Sequence, residues 1–244
     1  MKLVHQTKSG ANTVYVFEDQ GKRILKINQM SETHSIYNPQ DPLVDPLEGH
    51  YWNFITMLPY LAPMRSACLL GLGAGTITRQ LATYHPTLCV DGVEHDAEII
   101  TVASSYFSLS QSPLTIIHDD GVAFLSNTKT PYDLIILDAF EDGNLSPAFL
   151  NQSCFSSIAK RLSSIGIFAA NYIFSLQIHT AIKELCKEVF PWVWLVQVAD
   201  SSNYIIIGSF HKIDFSKLPT TEVPERLKPL AQYISHYTQE LKAP

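Results

Sequence analysis

Runs of lysine and arginine are missing from the 244 residues, and the formal net charge is −6. Without a cationic stripe the chain has no electrostatic footprint for a nucleic-acid backbone or an anionic membrane, so neither is expected as a partner. The opening MKLVHQTKSG lacks the continuous apolar stretch of a secretory signal, and no later segment approaches the roughly 18 charge-free apolar residues of a membrane span. A cytoplasmic protein is expected. Cysteine is scarce: Cys68, Cys89, Cys154 and Cys186 are scattered, with no C-x-x-C pair, and the histidines form no metal-spaced pair. That pattern excludes a zinc knuckle or a disulfide framework; free buried thiols and no metal are expected. Repeats and low-complexity segments are absent as well.

What is present is a hydrophobic content of 46%, enough to supply a substantial core. TVYVF and RILKI around EDQGK predict a β-hairpin between Thr13 and Ile36, and the three prolines of NPQDPLVDPLE (38–48) predict a linker or binding loop. HYWNFITMLPYL (50–61) reads as an amphipathic segment ended by Pro59 and Pro63. From Ser66 onward, strand-like runs at 67–70, 88–93, 114–118, 133–137, 166–171, 192–198 and 203–208 alternate with helical stretches at 76–84, 97–107, 122–126, 147–162 and 175–189. Apolar strands joined through helices form a parallel sheet covered on both faces, and the short ADSS link makes the last two strands antiparallel. The expected architecture is therefore α/β and Rossmann-like: a mostly parallel seven-stranded sheet with an antiparallel last strand, of the kind found in AdoMet-dependent methyltransferases. The expected organisation is a small N-terminal β domain with its linker (1–47), a catalytic domain (48–220) and a polar C-terminal tail (221–244).

In such a sheet, ligands bind beyond the carboxyl ends of the strands. Gly71, Gly73 and Gly75 in LLGLGAGTITRQLA follow the first of them and lead into a helix, so a ligand can approach the bare main chain and the N–H groups of the helix start. Phosphate, a dinucleotide and a sulfonium nucleoside all suit such a bend. A dinucleotide fingerprint wants a small residue where Thr76 stands, and a phosphate loop wants a lysine that is missing. Glu94 ends LCVDGVE, where a carboxylate can accept from both ribose hydroxyls. His118-Asp119-Asp120-Gly121 follows the third strand; Asp120 can accept from an adenine amino group or cap the next helix. Asp138 directly follows the apolar run YDLIIL, with Glu141 and Asp142 close behind, and a partly buried acid needs a partner or a task.

Taken together, the N-terminal hairpin, E48-x-x-Y51 before MLPYL, GLGAGT, GVEHD, the Asp120-Gly121 pair and YDLIILDAFED resemble the spermidine synthase-like branch of the polyamine aminopropyltransferases over nearly the whole chain. The resemblance implies aminopropyl transfer from decarboxylated AdoMet to a small amine, by a homodimer or homotetramer. It implies that Glu94 holds the ribose and Asp120 with Gly121 the adenine, beside the glycine bend, while Asp138 takes the proton of the attacking amine. Tyr51 and Glu141 then line the substrate side. Ala74 stands where the family carries an aspartate that pairs with the donor's ammonium, and Trp52-Asn53 replaces a polar pair after the tyrosine. Losing that aspartate removes a like-charge clash with the carboxylate of intact AdoMet, which tilts or relaxes the choice of donor. A methyltransferase using AdoMet on a small acceptor and a non-catalytic nucleoside-binding homologue are the rival readings. Tyr51, Trp52 and Phe140 are candidates to stack against a donor or cover an aliphatic chain. Glu141, Asp142 and Glu48 are candidates to draw a polycation inward.

Overall fold

A computed structural model describes residues 1–28, 33–41, 50–109, 113–218 and 223–242. The predicted hairpin is the centre of a four-stranded antiparallel sheet ordered β1-β2-β3-β4: β1 Lys2–Ser9, β2 Asn12–Asp19, β3 Lys22–Ile27 and β4 Ser35–Tyr37. Gln20 and Gly21, both at positive φ (49° and 80°), form the two-residue link between β2 and β3. That geometry matches the right-handed twist of the paired strands. Residues 42–49, most of the proline-rich linker and Glu48 with it, lie outside the described residues.

The remaining elements follow in chain order: α1 Tyr51–Met57, β5 Ser66–Leu70, α2 Thr76–Tyr84, β6 Cys89–Glu94, α3 Ala97–Tyr106, β7 Leu114–His118, α4 Gly121–Asn127 and β8 Tyr132–Leu137. Next come the short hairpin β9 Phe140–Glu141 and β10 Asn144–Leu145, then α5 Gln152–Arg161, β11 Leu162–Ile173, α6 Leu176–Val189, β12 Trp192–Gln197, β13 Asn203–Ser209, α7 Lys228–Tyr237 and β14 Gln239–Lys242. The main sheet runs β14-β12-β13-β11-β8-β5-β6-β7. Strands β7, β6, β5, β8 and β11 are mutually parallel, and β13 is antiparallel to both neighbours, as the short link before it predicts. This is the Rossmann-like methyltransferase fold with its N-terminal β sheet. The sheet has eight strands rather than seven, because the segment read as a tail supplies α7 and then β14, which pairs with β12.

Strand periodicity divides the core between the two sheet faces. Ala67, Leu69, Leu134 and Ile136 join one apolar cluster with α1, α2, α7 and the N-terminal sheet, while Cys68, Leu70, Ile135 and Leu137 join a second with α5 and α6. Cys68, Cys154 and Cys186 are buried free thiols; Cys89, at the exposed start of β6, departs from that expectation. The segment at α1 is not amphipathic: every residue from Trp52 to Met57 is buried. A helix of seven residues is too short to stand on its own hydrogen bonds. Burial of Trp52, Phe54, Ile55 and Met57, worth about 1.5–3 kcal/mol each, is what holds it. Its polar members are satisfied through α2, where Gln80 donates to Asn53 Oδ1 (2.9 Å) and Thr56 donates to Gln80 Oε1 (2.7 Å).

Candidate active site

The glycine bend leads from β5 into α2. Gly71, Gly73 and Gly75 all sit at positive φ (93°, 53° and 78°), a region that favours glycine. A Cβ at Gly71 would stand 2.4 Å from the Asp138 carbonyl oxygen, so β5 and β8 approach here as closely as two backbones can. The main-chain N–H groups of the bend, however, are already spent. Gly71 and Leu72 donate to Val93 O (3.0 Å each), Gly75 donates to Leu72 O (3.0 Å), Gly73 donates to Glu94 Oε2 (2.9 Å) and Ala74 donates to Ser35 Oγ (3.1 Å). The donors expected to face a ligand are those at the start of α2; the N–H groups of residues 71–75 are engaged within the protein, and Gly71, Leu72 and Gly73 form a fixed wall of the cleft.

Glu94, at the end of β6, is buried, and its carboxylate is oriented on both oxygens. Oε2 accepts from Gly73 N, while Oε1 accepts from Asp96 N (3.1 Å) and lies 3.2 Å from His95 Nδ1. The hydrogen bond to Glu94 raises the His95 imidazole above its ordinary range, outweighing burial. A carboxylate offers about four acceptor positions, so Glu94 keeps room for a hydroxyl donor. Asp120 caps α4 by accepting from Ala123 N (2.8 Å), the structural role that its position also allowed. Both residues line a cleft of about 750 Å³ with Gly71, Gly73, Gly121 and Asp138. That volume suits a nucleoside-sized ligand.

Asp138 follows β8 near the middle of the sheet, its own N–H held by Leu70 O (2.9 Å). Tyr51 of α1 donates its hydroxyl to Asp138 Oδ2 (2.9 Å), and Asn171 at the end of β11 donates Nδ2 to Oδ1 (2.9 Å). Burial pushes the carboxyl up to about 7, with the Asn171 and Tyr51 hydrogen bonds pulling against it. Burial, and then the neighbouring carboxylate, drive the Tyr51 phenol well above its usual range, so it stays a donor. Glu141 lies in the same cleft on the β9–β10 hairpin, exposed, accepting from Ser146 Oγ (3.2 Å). Asp142 and Gly143 make that hairpin's turn, both at positive φ (49° and 75°). Tyr51, Glu94, Asp120, Asp138 and Glu141 thus meet in one cavity. Trp52 belongs to the core, 3% exposed and stacked on His50 with 5.1 Å between ring centroids, so it offers little face for stacking a ligand.

Four residues of the site carry no signal that strand-end acids provide. Asn171 ends the run GIFAAN just as Asp138 ends its own, but an uncharged amide draws less notice than a carboxylate. Asn203 donates to Asn171 Oδ1 (2.9 Å) from β13. Ser35 reaches the bend across 39 residues of sequence. Arg79 of α2 is buried, and its guanidinium donates to the carbonyls of Ala74 (2.6 Å), Phe107 (2.9 Å) and Ile36 (3.1 Å) while lying 5.0 Å from the Tyr37 ring centroid. Burial lowers it to about 10, so it remains charged at neutral pH. Among the described residues, no three His, Cys, Asp or Glu side chains are grouped as a metal site. Nor is any of their helices long and apolar enough to cross a membrane.

A methyltransferase-like sheet with a nucleoside-sized cleft at its carboxyl edge, walled by glycine and set with oriented carboxylates, is the frame of the candidate site. Residues 50–206 match the spermine/spermidine synthase domain, and the chain belongs to that family. It is 28% identical over 170 residues to a probable polyamine aminopropyl transferase of Bifidobacterium longum, covering 69% of this chain and 37% of that protein. It is 27% identical over 176 residues to the human eEF1A lysine and N-terminal methyltransferase, covering 66% of this chain and 25% of that one. The chain thus spans well under two thirds of either relative. Among solved structures, a probable spermidine synthase from Corynebacterium glutamicum superposes with a TM-score of 0.75 at 18% identity, over 98% of this chain and 91% of that one. A spermidine synthase bound to the transition-state analogue AdoDATO superposes with a TM-score of 0.68 at 17% identity, over 86% of this chain and 74% of that one.

Proposed function

We propose that the protein transfers an aminopropyl group from a decarboxylated AdoMet-type sulfonium to a small polyamine acceptor. The observation that carries this reading is Asp138, a carboxylate held on both oxygens by neutral donors and brought near pH 7 by burial, in the same cleft as Glu94. In the reaction, the lone pair of a neutral amine attacks the carbon attached to sulfur. The carbon–sulfur bond breaks, its electron pair neutralises the sulfonium, and the nitrogen's surplus proton passes to Asp138. Glu94 orients the ribose, Asp120 and Gly121 face the adenine, and Tyr51 and Glu141 bound the acceptor's end. Family membership supports the transferase class; donor and acceptor are this proposal's own.

A second reading, methyl transfer from intact AdoMet, is favoured by Ala74, which leaves no carboxylate on the bend for a lone ammonium. Mass spectrometry after incubation with each donor and a panel of diamines decides between the two. The mass increment of one aminopropyl group, formed with the decarboxylated donor, is expected. A methyl increment appearing only with AdoMet would select the second reading, and no product with either donor would leave a nucleoside-binding homologue.

Thermal melts give a quicker view. A donor present at a hundredfold excess over its Kd stabilises the folded state by about 2.7 kcal/mol, a rise of roughly 5–10 °C for a chain of this size. The decarboxylated donor is expected to give the larger rise, and equal or reversed shifts would count against aminopropyl transfer.

The pH profile has a defined sign. Asp138 accepts a proton only when ionised, so kcat/KM is expected to climb with pH through about 7. A profile that is flat from mildly acidic to mildly alkaline pH would remove Asp138 from the rate-limiting step.

A further inference from the structure

We propose that Asn171 and Asn203 form a one-way amide chain that fixes the orientation and charge state of Asp138, making both of them positioning residues. The inference rests on the reading of Asp138 as the proton acceptor and adds to it the device that keeps it one. Asn171 is fully buried, with Nδ2 donating to Asp138 Oδ1 and Oδ1 accepting from Asn203 Nδ2, each at 2.9 Å. Asn203 Oδ1 in turn accepts from Ser201 Oγ (2.8 Å), and Asn203 N donates back to that hydroxyl (3.1 Å). Every side-chain donor in the series points toward Asp138. Turning over the Asn171 amide would set its carbonyl against the carboxylate and its NH2 against the NH2 of Asn203, leaving two buried clashes in place of two hydrogen bonds. Asn203 therefore holds Asn171 against reversal from the side away from the carboxylate.

The sheet supplies the rigidity. Asn171 pairs in register with Ile205 and Ile173 with Asn203, so the two asparagines are diagonal neighbours on adjacent antiparallel strands, with β8 on the other side of β11. An aspartate held by such a chain receives a donor without receiving a cation. It can be ionised in a buried setting and still be basic enough to take a proton, which an arginine or lysine partner would prevent by holding the proton affinity down. Other ionisable groups share the cleft: His34 before β4, Tyr51 on α1, Glu94 at the end of β6 with His95 and Asp96 after it, Asp119 and Asp120 before α4, and Glu141 and Asp142 on the hairpin. Of these, Tyr51 alone hydrogen-bonds Asp138 among the described residues.

Two near-isosteric replacements test the chain. Asn203→Asp substitutes an acceptor for the donor facing Asn171 and favours the reversed amide; Asn203→Leu removes the donor without adding charge. The primary readout is the ionisation midpoint of the Asp138 carboxyl, followed by carbon-13 NMR on the protein without substrates. An upward move of about one pH unit or more is expected for Asn203→Asp and a smaller one for Asn203→Leu. The acid limb of kcat/KM should move with them, at unchanged donor affinity. Midpoints that stay at the wild-type value in the folded variants would overturn the proposal, as would lowered turnover with an unmoved pH profile, which is the mark of a merely structural role. A shifted carboxyl in a protein that transfers nothing would leave the amide chain standing and remove the enzymatic reading. Normal turnover with an unshifted carboxyl would do the opposite.

Discussion

Asp138→Asn is expected to lower turnover by roughly 10²–10⁴-fold while donor affinity persists, the loss typical of removing a positioned acid–base group. Asparagine has the same shape, and the site can satisfy it: its carbonyl can accept from Asn171 Nδ2, and its NH2 can donate to the Tyr51 oxygen once the phenol rotates. What it cannot do is take a proton. Stability should move the other way. The folded carboxyl titrates near 7 and an unfolded one near 4, so Asp138 stabilises the fold most fully below about pH 4, and that contribution is lost as pH rises to about 7. Above that range the wild type buries an ionised carboxylate at a cost the variant does not carry. Urea unfolding at mildly acidic and mildly alkaline pH should therefore show the variant gaining on the wild type as pH rises. Full turnover in the variant would show that water or another group receives the proton.

Arg79→Ala is expected to destabilise the protein by about 3 kcal/mol and to weaken donor binding at a distance. Hydrogen bonds to a charged group contribute about 1.5–3 kcal/mol each, and contributions that share one guanidinium add incompletely. Alanine would strip the donors from the carbonyls of Ala74, Phe107 and Ile36 and leave a cavity beside Tyr37. Those carbonyls belong to the glycine bend, the end of α3 and β4, so the arginine joins the wall of the cleft to the N-terminal sheet. Arg79→Lys should recover less than half of the loss, because an ammonium keeps the charge but cannot span the fork. Equilibrium unfolding and a donor titration of both variants check this; a loss under about 1 kcal/mol would mean that water replaces the guanidinium.

Sequence made the main sheet legible because its central strands are short, apolar and separated by helices of matching length. Helix α2 begins and ends at the residues its pattern marks, and β7 is the run LTIIH itself. Elements held by main-chain pairing left a fainter trace. Strand β4 is three residues long, β14 is QELK with no apolar side chain but Leu241, and β1 alternates exposed and half-buried positions without a core face. In the candidate site, Glu94 and Asp138 stood out as carboxylates that end apolar runs. Asn171 occupies the same kind of place without a charge to mark it. Ser35, Asn203 and Arg79 act across tens of residues of sequence, and nothing local to any of them announces its partner. The occupied N–H groups of the bend were invisible for the same reason, since their acceptors include a serine from another sheet and a glutamate from another strand.

The way β14 lies along β12 bears on how the protein behaves at high concentration. Strand β12 carries Trp192, Val193, Trp194, Leu195 and Val196, a β-prone apolar stretch whose outer row of amides and carbonyls would otherwise recruit a neighbouring chain. Covering that row with four residues, of which Glu240 and Lys242 bear charge and Lys242 donates to the Lys187 carbonyl, hems the fabric with a short and uninviting selvedge. Clipping the hem would leave the cleft beyond β5 and β8 untouched and expose β12 as a template for fibrous stacking.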